Sequence, residues 1–254
     1  MQLRRRCYRM SKPLLSGEAE IRVNRIMTKR AIITLCAAAF IAGMAIGDFK
    51  PVPIINSAFT QAAPAPEVSP LDSTFYRLRE PLFTAFAPTT KIVMAGDSLT
   101  DLAEWSDIFP GVSISNRGIY GDTSEGLLAR VDQITMLHPE KAFLMIGIND
   151  LGVGHSIARI MTAYTEIIRR LHSVGIFVFV QSTLFAAQDS GLNGNIEKLN
   201  AALEQFCKNQ LCTFIDLNIA ICPKGFLDKS TTVDGLHLNS AGYMLWRNAL
   251  RPYL

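Results

Sequence analysis

"KIVMAGDSLTDLAEW", residues 91–105, sets a short apolar run against Gly96, Asp97 and Ser98 and then returns to a helix-like pattern. A short apolar run that ends at a glycine indicates a buried strand. Gly, Asp and Ser are typical of turns between strands and helices, so the local pattern alone favours a turn role for Ser98. Any chemical role of its hydroxyl therefore depends on the residues that accompany it.

The same alternation continues to the end of the chain. Four further apolar runs follow, at residues 112–115, 142–146, 175–181 and 212–216. Between them apolar residues recur at helical spacing, as in Ile157, Ile160, Tyr164, Ile168 and Leu171. Five short strands alternating with helices predict an α/β fold in which helices cover both faces of a parallel sheet.

Four polar or glycine-containing loops are expected at one edge of this sheet. Ser98 follows the first strand, Gly118 the second and Asn149 the third, and "DGLHL" at 234–238 precedes the final helix. Ligands of such sheets bind beyond the carboxyl ends of the strands. We therefore expect these loops to open onto a common site.

The residue types in these loops suit nucleophilic catalysis. A serine hydroxyl needs a base to take its proton, and the base needs a third group to orient it. His237 and Asp234, three residues apart, supply that pair. By itself His237 is equally typical of a capped or surface histidine. The other three histidines, His138, His155 and His172, are interpreted as surface residues.

Acyl transfer also requires donors for the developing oxyanion. Gly118 offers a backbone N–H that a substrate can approach closely, and Asn149 offers a side-chain amide. Taken singly, Gly118 is typical of a plain turn and Asn149 of a side chain that satisfies loop backbone. Together with Ser98 they make a complete candidate site.

The blocks "GDSL", the glycine of "NRGI", "GIND" and "DGLH" occur in this order. In these blocks, residues 72–254 resemble the SGNH (GDSL) esterase and lipase superfamily. The stretches around the second and fourth blocks are most similar to the branch with platelet-activating-factor acetylhydrolase-like and sialate or carbohydrate O-acetylesterase-like proteins. The resemblance implies a three-layer α/β/α domain with a flavodoxin-like, five-stranded sheet.

The resemblance also implies roles for individual residues. Ser98 would be the nucleophile, His237 the general base and acid, and Asp234 the group that orients His237. The N–H groups of Ser98 and Gly118 and the side chain of Asn149 would form the oxyanion hole. No cofactor or metal is expected.

Three functions are consistent with these residues. The first is a serine hydrolase that removes acetyl or another short acyl group, from a small molecule or a glycan. The second is a lysophospholipase, thioesterase or glycan O-acyltransferase with the same triad. The third is a membrane-tethered binding protein without turnover.

Charge is concentrated at the N-terminus. Residues 1–30 carry nine Lys or Arg against two Glu, a net charge of +7, whereas residues 48–254 carry −4. The basic excess therefore belongs to the tail, and no nucleic-acid partner is expected for the remainder. The oligomeric state stays open.

Residues 31–47, "AIITLCAAAFIAGMAIG", contain no charged side chain. As a helix they would span about 25 Å, near the lower limit for crossing a bilayer. Basic residues before such a run orient it with the N-terminus in the cytoplasm. We expect either a transmembrane anchor or a cleaved signal segment, with Met1 or Met27 as the start. The rest of the chain would lie outside the cytoplasm, on the periplasmic or cell-surface side.

These patterns divide the chain into a basic tail (1–30), an anchor or signal segment (31–47), a Pro-rich linker (48–71) and a hydrolase domain (72–254). "STFYRLREPLFTAF", residues 73–86, favours a short helical lead-in that Pro81 breaks.

Three cysteines fall in the domain, namely Cys207, Cys212 and Cys222. Their odd number does not indicate a disulfide framework, and no Cys-x-x-Cys spacing or His cluster indicates a metal site. Buried free thiols are the default expectation, and a Cys207–Cys212 bridge is the alternative in an oxidising compartment.

Overall fold

The computed structural model describes residues 73–209 and 212–254, and five parallel strands form one sheet within them. The strands are β1 (Ile92–Gly96), β2 (Ile114–Gly118), β3 (Lys141–Met145), β4 (Phe177–Gln181) and β5 (Thr213–Ile215). Their order across the sheet is β2-β1-β3-β4-β5. The predicted parallel α/β sheet is confirmed.

Helices connect the strands and cover the sheet. In chain order they are α1 (Thr74–Ala85), α2 (Ser98–Asp101), α3 (Trp105–Ile108), α4 (Ser124–Ala129), α5 (Asp132–Thr135), α6 (Ile148–Gly152), α7 (Ile157–Ser173), α8 (Asn193–Asn209), α9 (Asn218–Ile221) and α10 (Ser240–Leu250). A 3₁₀ turn, Arg251–Tyr253, follows α10.

Two hydrophobic clusters lie on opposite faces of the sheet. In β1, Val93 and Ala95 belong to one cluster and Ile92 and Met94 to the other, as the two-residue period of a strand requires. The first cluster contains apolar residues of α4, α7 and α8, and the second contains those of α3, α9 and α10. The sheet is therefore the middle of three layers. Trp105 belongs to the second cluster and is only 2% exposed, so it is a core residue.

The strand order creates a crevice at the carboxyl edge. β1 lies between β2 and β3, so the direction of the crossovers reverses after β2. Gly96 at the end of β1 is in register with Gly118 and Met145, so the three strands end at the same level. Such a reversal point is where open α/β sheets bind ligands. The chain leaves β1 and β3 there and enters α2, which begins at Ser98, and α6, which contains Asn149.

The lead-in helix α1 continues through Pro81, contrary to the prediction that this residue breaks it. Pro81 is exposed, so its ring meets solvent. Phe83, two residues further on, is buried and has the guanidinium of Arg117 4.7 Å from its ring centroid. Burial of Phe83 offsets the hydrogen bond that Pro81 cannot donate.

Cys207 at the end of α8 and Cys212 before β5 form a disulfide. The default expectation of free thiols is therefore wrong for this pair. Cys222 is a free, buried thiol, and burial raises its pKa to about 12.

Residues 1–72 lie outside the described residues, and they include the basic tail, the predicted anchor or signal segment at 31–47 and the Pro-rich linker. Within residues 73–209 and 212–254, no helix has the length and hydrophobicity needed to span a bilayer.

Candidate active site

Ser98, Asp234 and His237 lie together at the carboxyl edge of the sheet. The Oγ of Ser98 is 3.1 Å from Nε2 of His237, and Nδ1 of His237 is 2.7 Å from Oδ2 of Asp234. With the proton on Nδ1 donated to Asp234, Nε2 is free to accept the hydroxyl proton. The distances suit a nucleophile, a base and an orienting carboxylate.

A compact turn fixes the carboxylate beside the imidazole. Oδ1 of Asp234 accepts the backbone N–H groups of Leu236 at 2.9 Å and His237 at 2.7 Å. Burial acts to raise the pKa of Asp234, but these bonds and that from the His237 ring lower it to about 2. Asp234 is therefore ionised at neutral pH and can stabilise an imidazolium.

The short helix α2 presents the hydroxyl. Asp97 is its N-cap, and Oδ1 of Asp97 accepts the N–H of Leu99 at 3.0 Å. Ser98 is the first residue of α2, so its own N–H has no partner within the helix. Asp97 is 1% exposed, and burial raises its pKa to about 7, with the carboxylates of Asp122 and Asp150 acting in the same direction.

The amide of Asn149 is held by the backbone of the segment that follows β2. Its Nδ2 donates to the backbone oxygen of Asp122 at 2.8 Å, which uses one of the two N–H bonds of the amide. Asp122 is anchored in turn by Arg130, whose Nε and Nη2 lie 2.9 and 2.7 Å from Oδ2. Burial raises the pKa of Asp122, and the charge of Arg130 opposes that shift. The second N–H of the Asn149 amide remains available to a ligand.

The expectation that Gly118 supplies an oxyanion donor needs correction. Its N–H donates to Oδ1 of Asn116 at 2.8 Å. A Cβ at this position would overlap the backbone of Thr100 and Asp101, so the glycine is required by close packing between β2 and α2. Gly118 therefore shapes the site but does not direct its N–H into it.

Sequence reasoning missed Gly121, three residues later. Its φ is +77°, a left-handed conformation that favours glycine, and it lines the same cleft as Asn149. Within the described residues, no group accepts a hydrogen bond from its N–H. The signal was present as a second glycine in "RGIYGD", but the sequence does not say which of the two peptide groups turns toward the crevice.

A buried cluster joins the second and third loops of the site. Oδ1 of Asp150 accepts a hydrogen bond from the hydroxyl of Ser124 at 2.7 Å, and Oδ2 accepts one from the backbone N–H of Ser124 at 2.9 Å. Nδ1 of His155 also lies 3.1 Å from Oδ1 of Asp150. His155 is buried, so its interpretation as a surface residue is wrong. The cluster fixes Asp150, the neighbour of Asn149, against the loop that contains Gly121.

An apolar cleft of about 380 Å³ adjoins the proposed oxyanion donors. It is lined by Gly121, Thr123, Ile148, Asn149, Gly152, Val153, Leu192 and Leu236. Within residues 73–209 and 212–254, no cluster of three or more His, Cys, Asp or Glu side chains is placed to hold a metal ion.

Known proteins resemble this chain in sequence and in fold. A family model described as the GDSL-like lipase/acylhydrolase family matches residues 94–245. Among curated proteins, an N-acylneuraminate cytidylyltransferase of Streptococcus agalactiae is 30% identical over 132 residues, or 50% of this chain and 32% of that protein. The chain thus spans about a third of the length of the curated relatives it matches.

Two solved structures illustrate the likeness of fold. A GDSL-like lipase from Bacteroides thetaiotaomicron has a TM-score of 0.62 and 21% identity, covering 70% of this chain and 95% of its own. An acetylxylan esterase from Geobacillus stearothermophilus has a TM-score of 0.56 and 17% identity. The match covers 65% of this chain and 94% of that protein. At these identities the likeness concerns the fold.

Proposed function

Because this chain belongs to the GDSL-like lipase/acylhydrolase family of ester-hydrolysing enzymes, we propose that it is an extracytoplasmic serine esterase that removes acetyl or another short acyl group from a carbohydrate. The observation that carries the proposal is the continuous chain of hydrogen bonds from Ser98 through His237 to Asp234, 3.1 and 2.7 Å long. Such an arrangement activates a hydroxyl for acyl transfer.

In the acylation step, Oγ of Ser98 bonds to the ester carbonyl carbon while its proton passes to Nε2 of His237. The carbonyl electron pair moves onto oxygen, and the imidazolium is stabilised by Asp234. When the tetrahedral intermediate collapses, His237 returns the proton to the leaving alcohol as the carbon–oxygen bond breaks. The acyl group remains on Ser98.

Deacylation repeats the sequence with water as the nucleophile. Nε2 of His237 takes a proton from water as the water oxygen bonds to the acyl carbon. The same proton then returns to Oγ of Ser98 as the acyl–serine bond breaks. A carboxylic acid and the free enzyme result.

The oxyanion would be stabilised by three donors: the N–H of Ser98, the N–H of Gly121 and the remaining amide N–H of Asn149. The two backbone groups have no acceptor within the described residues, and the amide is pre-oriented by its bond to Asp122. Donors fixed in advance need no reorganisation when charge develops.

A carbohydrate substrate is supported by the comparisons. One relative is named for an N-acylneuraminate, which is a sugar acid, and one structural neighbour is an acetylxylan esterase. The stretches around the second and fourth blocks resemble a branch of the superfamily that includes O-acetylesterase-like proteins, and this resemblance also favours a carbohydrate substrate.

The cleft favours a second candidate function. About 380 Å³ of mainly apolar space beside Gly121 and Asn149 exceeds what an acetyl group fills. A lysophospholipase or thioesterase with a longer acyl group would use this space, and the burial of each CH₂ would contribute about 0.8 kcal/mol.

The location outside the cytoplasm is supported by two features. A tail with a net charge of +7 precedes the apolar segment 31–47, a pattern that retains the tail in the cytoplasm. The Cys207–Cys212 disulfide is of the kind that forms and persists in oxidising compartments. The segment would act as an inner-membrane anchor or be removed as a signal.

A fluorophosphonate probe tests the nucleophile. The full chain, purified in detergent, should be labelled, and Ser98→Ala should abolish labelling. The matched control is Ser106→Ala, since Ser106 is exposed on α3 and belongs to none of the site loops. Absence of labelling in the unmodified chain, or labelling that persists in Ser98→Ala, would support the non-enzymatic binding protein instead.

The substrate is tested with p-nitrophenyl esters of increasing chain length, followed by O-acetylated sugars, lysophospholipids and acyl thioesters. The proposal predicts the highest kcat/KM for acetyl or another short ester and release of acetate from acetylated sugars. A steady rise of kcat/KM through eight or more carbons would favour the second candidate. Transfer of the acyl group to an added sugar in preference to water would identify a transferase.

A further inference from the structure

Helix α1 lies outside the family-matched residues 94–245, yet it reaches the candidate active site. The ring of Phe75 packs on that of Tyr120, with centroids 4.9 Å apart. Tyr120 in turn stacks on the imidazole of His237, with centroids 5.5 Å apart and planes 20° apart. The Tyr120 ring is thus held between α1 and the proposed general base.

A second link from α1 holds the backbone of the same residue. Arg79 Nη2 is 2.6 Å from Oδ1 of Asp101, and Oδ2 of Asp101 accepts the N–H of Tyr120 at 3.2 Å. Phe75 and Arg79 are one turn apart and face the same way. One helix therefore fixes both the ring and the main chain of Tyr120.

α1 is itself anchored to the domain. The hydroxyl of Tyr76 donates to the backbone oxygen of Gly126 at 3.3 Å, and Nε2 of Gln133 donates to Oγ1 of Thr84 at 3.0 Å. Phe83 is buried against Arg117. These contacts give the helix a fixed position from which it can hold Tyr120.

The imidazole needs such a contact. Its bonds to Ser98 and Asp234 are made by its two nitrogens, whose N–H bond and lone pair lie in the ring plane. In-plane bonds do little to resist tilting of the ring about the axis that joins them, whereas a ring packed on its face resists it directly. The imidazole must keep its direction while its proton moves.

We propose that Tyr120 is a positioning residue for His237 and that α1, through Phe75 and Arg79, holds it in place. The proposal rests on the proposed function, because it concerns the base of the same triad. It extends the active site beyond the part of the chain that the family model matches.

Two substitutions at Tyr120 separate the ring from its hydroxyl. Tyr120→Leu keeps an apolar side chain but removes the stacking face, and Tyr120→Phe keeps the face. We expect Tyr120→Leu to lower kcat and the rate of fluorophosphonate labelling by about 3- to 10-fold each, and Tyr120→Phe to restore both to within about twofold. KM should change little. A rise in KM with an unchanged labelling rate would overturn the proposal, since Tyr120 would then act by contacting substrate.

A double-mutant cycle tests whether α1 acts through Tyr120. Phe75→Leu should lower kcat by about 2- to 5-fold in the unmodified chain and have almost no further effect beside Tyr120→Leu. Leu78→Ala is the matched control, because Leu78 lies on α1 and is 62% exposed. Equal effects of Phe75→Leu in both backgrounds would refute a route through Tyr120. Thermal unfolding should show that each variant folds.

A measurement that does not depend on turnover tests the contact between Tyr120 and His237 independently of the proposed esterase function. Diethyl pyrocarbonate modifies accessible imidazoles, and peptide mass analysis reports the rate at His237. Tyr120→Leu should raise that rate several-fold, because a ring without this support can tilt away from Ser98 and expose Nε2, the atom that the reagent modifies. An unchanged rate would overturn the proposal even if labelling had established the serine hydrolase. If Tyr120→Leu raises the rate of His237 modification but the fluorophosphonate does not label the chain, the contact between Tyr120 and His237 is supported and the catalytic role of His237 is rejected.

Discussion

Replacing Asp97 by Asn should stabilise the protein at neutral and alkaline pH. The carboxyl is almost completely buried beside the nucleophile, and its pKa is raised from 3.8 to about 7, chiefly by desolvation. The folded protein therefore favours the neutral acid, whereas the unfolded chain ionises at about pH 4. The amide introduced by Asp97→Asn would keep an oxygen to accept the N–H of Leu99 and would have no charge to bury.

The magnitude follows from linkage. A carboxyl whose pKa is raised in the folded protein stabilises the fold at pH values below its pKa in the unfolded chain. This contribution is lost as the pH rises toward its pKa in the folded protein. A shift from 3.8 to about 7 corresponds to about 4 kcal/mol. Relative to the parent, the free energy of unfolding of Asp97→Asn should rise by about 1.4 kcal/mol per pH unit between pH 4 and 7 and level off above pH 8.

Urea unfolding of both proteins across pH 3–9 measures this difference, and titrating groups that do not interact with Asp97 cancel in the comparison. Asp107→Asn is the control for the substitution itself, because Asp107 is exposed on α3. A pH-independent difference between parent and Asp97→Asn would show that burial does not hold this carboxyl neutral and would refute the reasoning.

Four other outcomes can be checked directly. His237→Ala should lower kcat by about 10³-fold or more, measured with the best ester of the chain-length series; a smaller loss would remove it as the base. Asn149→Ala should lower kcat by about 10²- to 10³-fold with little change in KM, and an unchanged kcat would remove its amide from the oxyanion hole. Gly118→Ala should lower the Tm because its Cβ overlaps backbone, whereas Gly194→Ala, with open space around it, should not; equal Tm values would contradict the close packing. Reducing the Cys207–Cys212 disulfide should lower the free energy of unfolding by about 2 kcal/mol, as urea titration with and without dithiothreitol would reveal.

The sheet and the position of the four loops could be predicted because buried parallel strands read as short apolar runs and their carboxyl ends meet at one edge. Chain periodicity alone therefore placed Ser98, Asn149 and the segment with Asp234 and His237 near one another. Their mutual distances depend on turns that periodicity does not describe, such as the one closed by Oδ1 of Asp234.

The errors arose where tertiary contacts override local pattern. Gly118 and Gly121 look alike in sequence, and only the Asn116 side chain and the positive φ distinguish their roles. His155 looked exposed at a helix start, but the buried carboxylate of Asp150 draws it inward. α1 passes through Pro81 because Phe83 is anchored beyond it.

The burial of Cys222 has a consequence for oxidative folding. Disulfide exchange requires a thiolate, and a thiol whose pKa is about 12 supplies very little at the pH of any cellular compartment. Once this part of the chain has folded, Cys222 cannot readily attack the Cys207–Cys212 bridge, which belongs to the cluster on the other face of the sheet. In the folded protein Cys222 therefore leaves the Cys207–Cys212 cross-link intact.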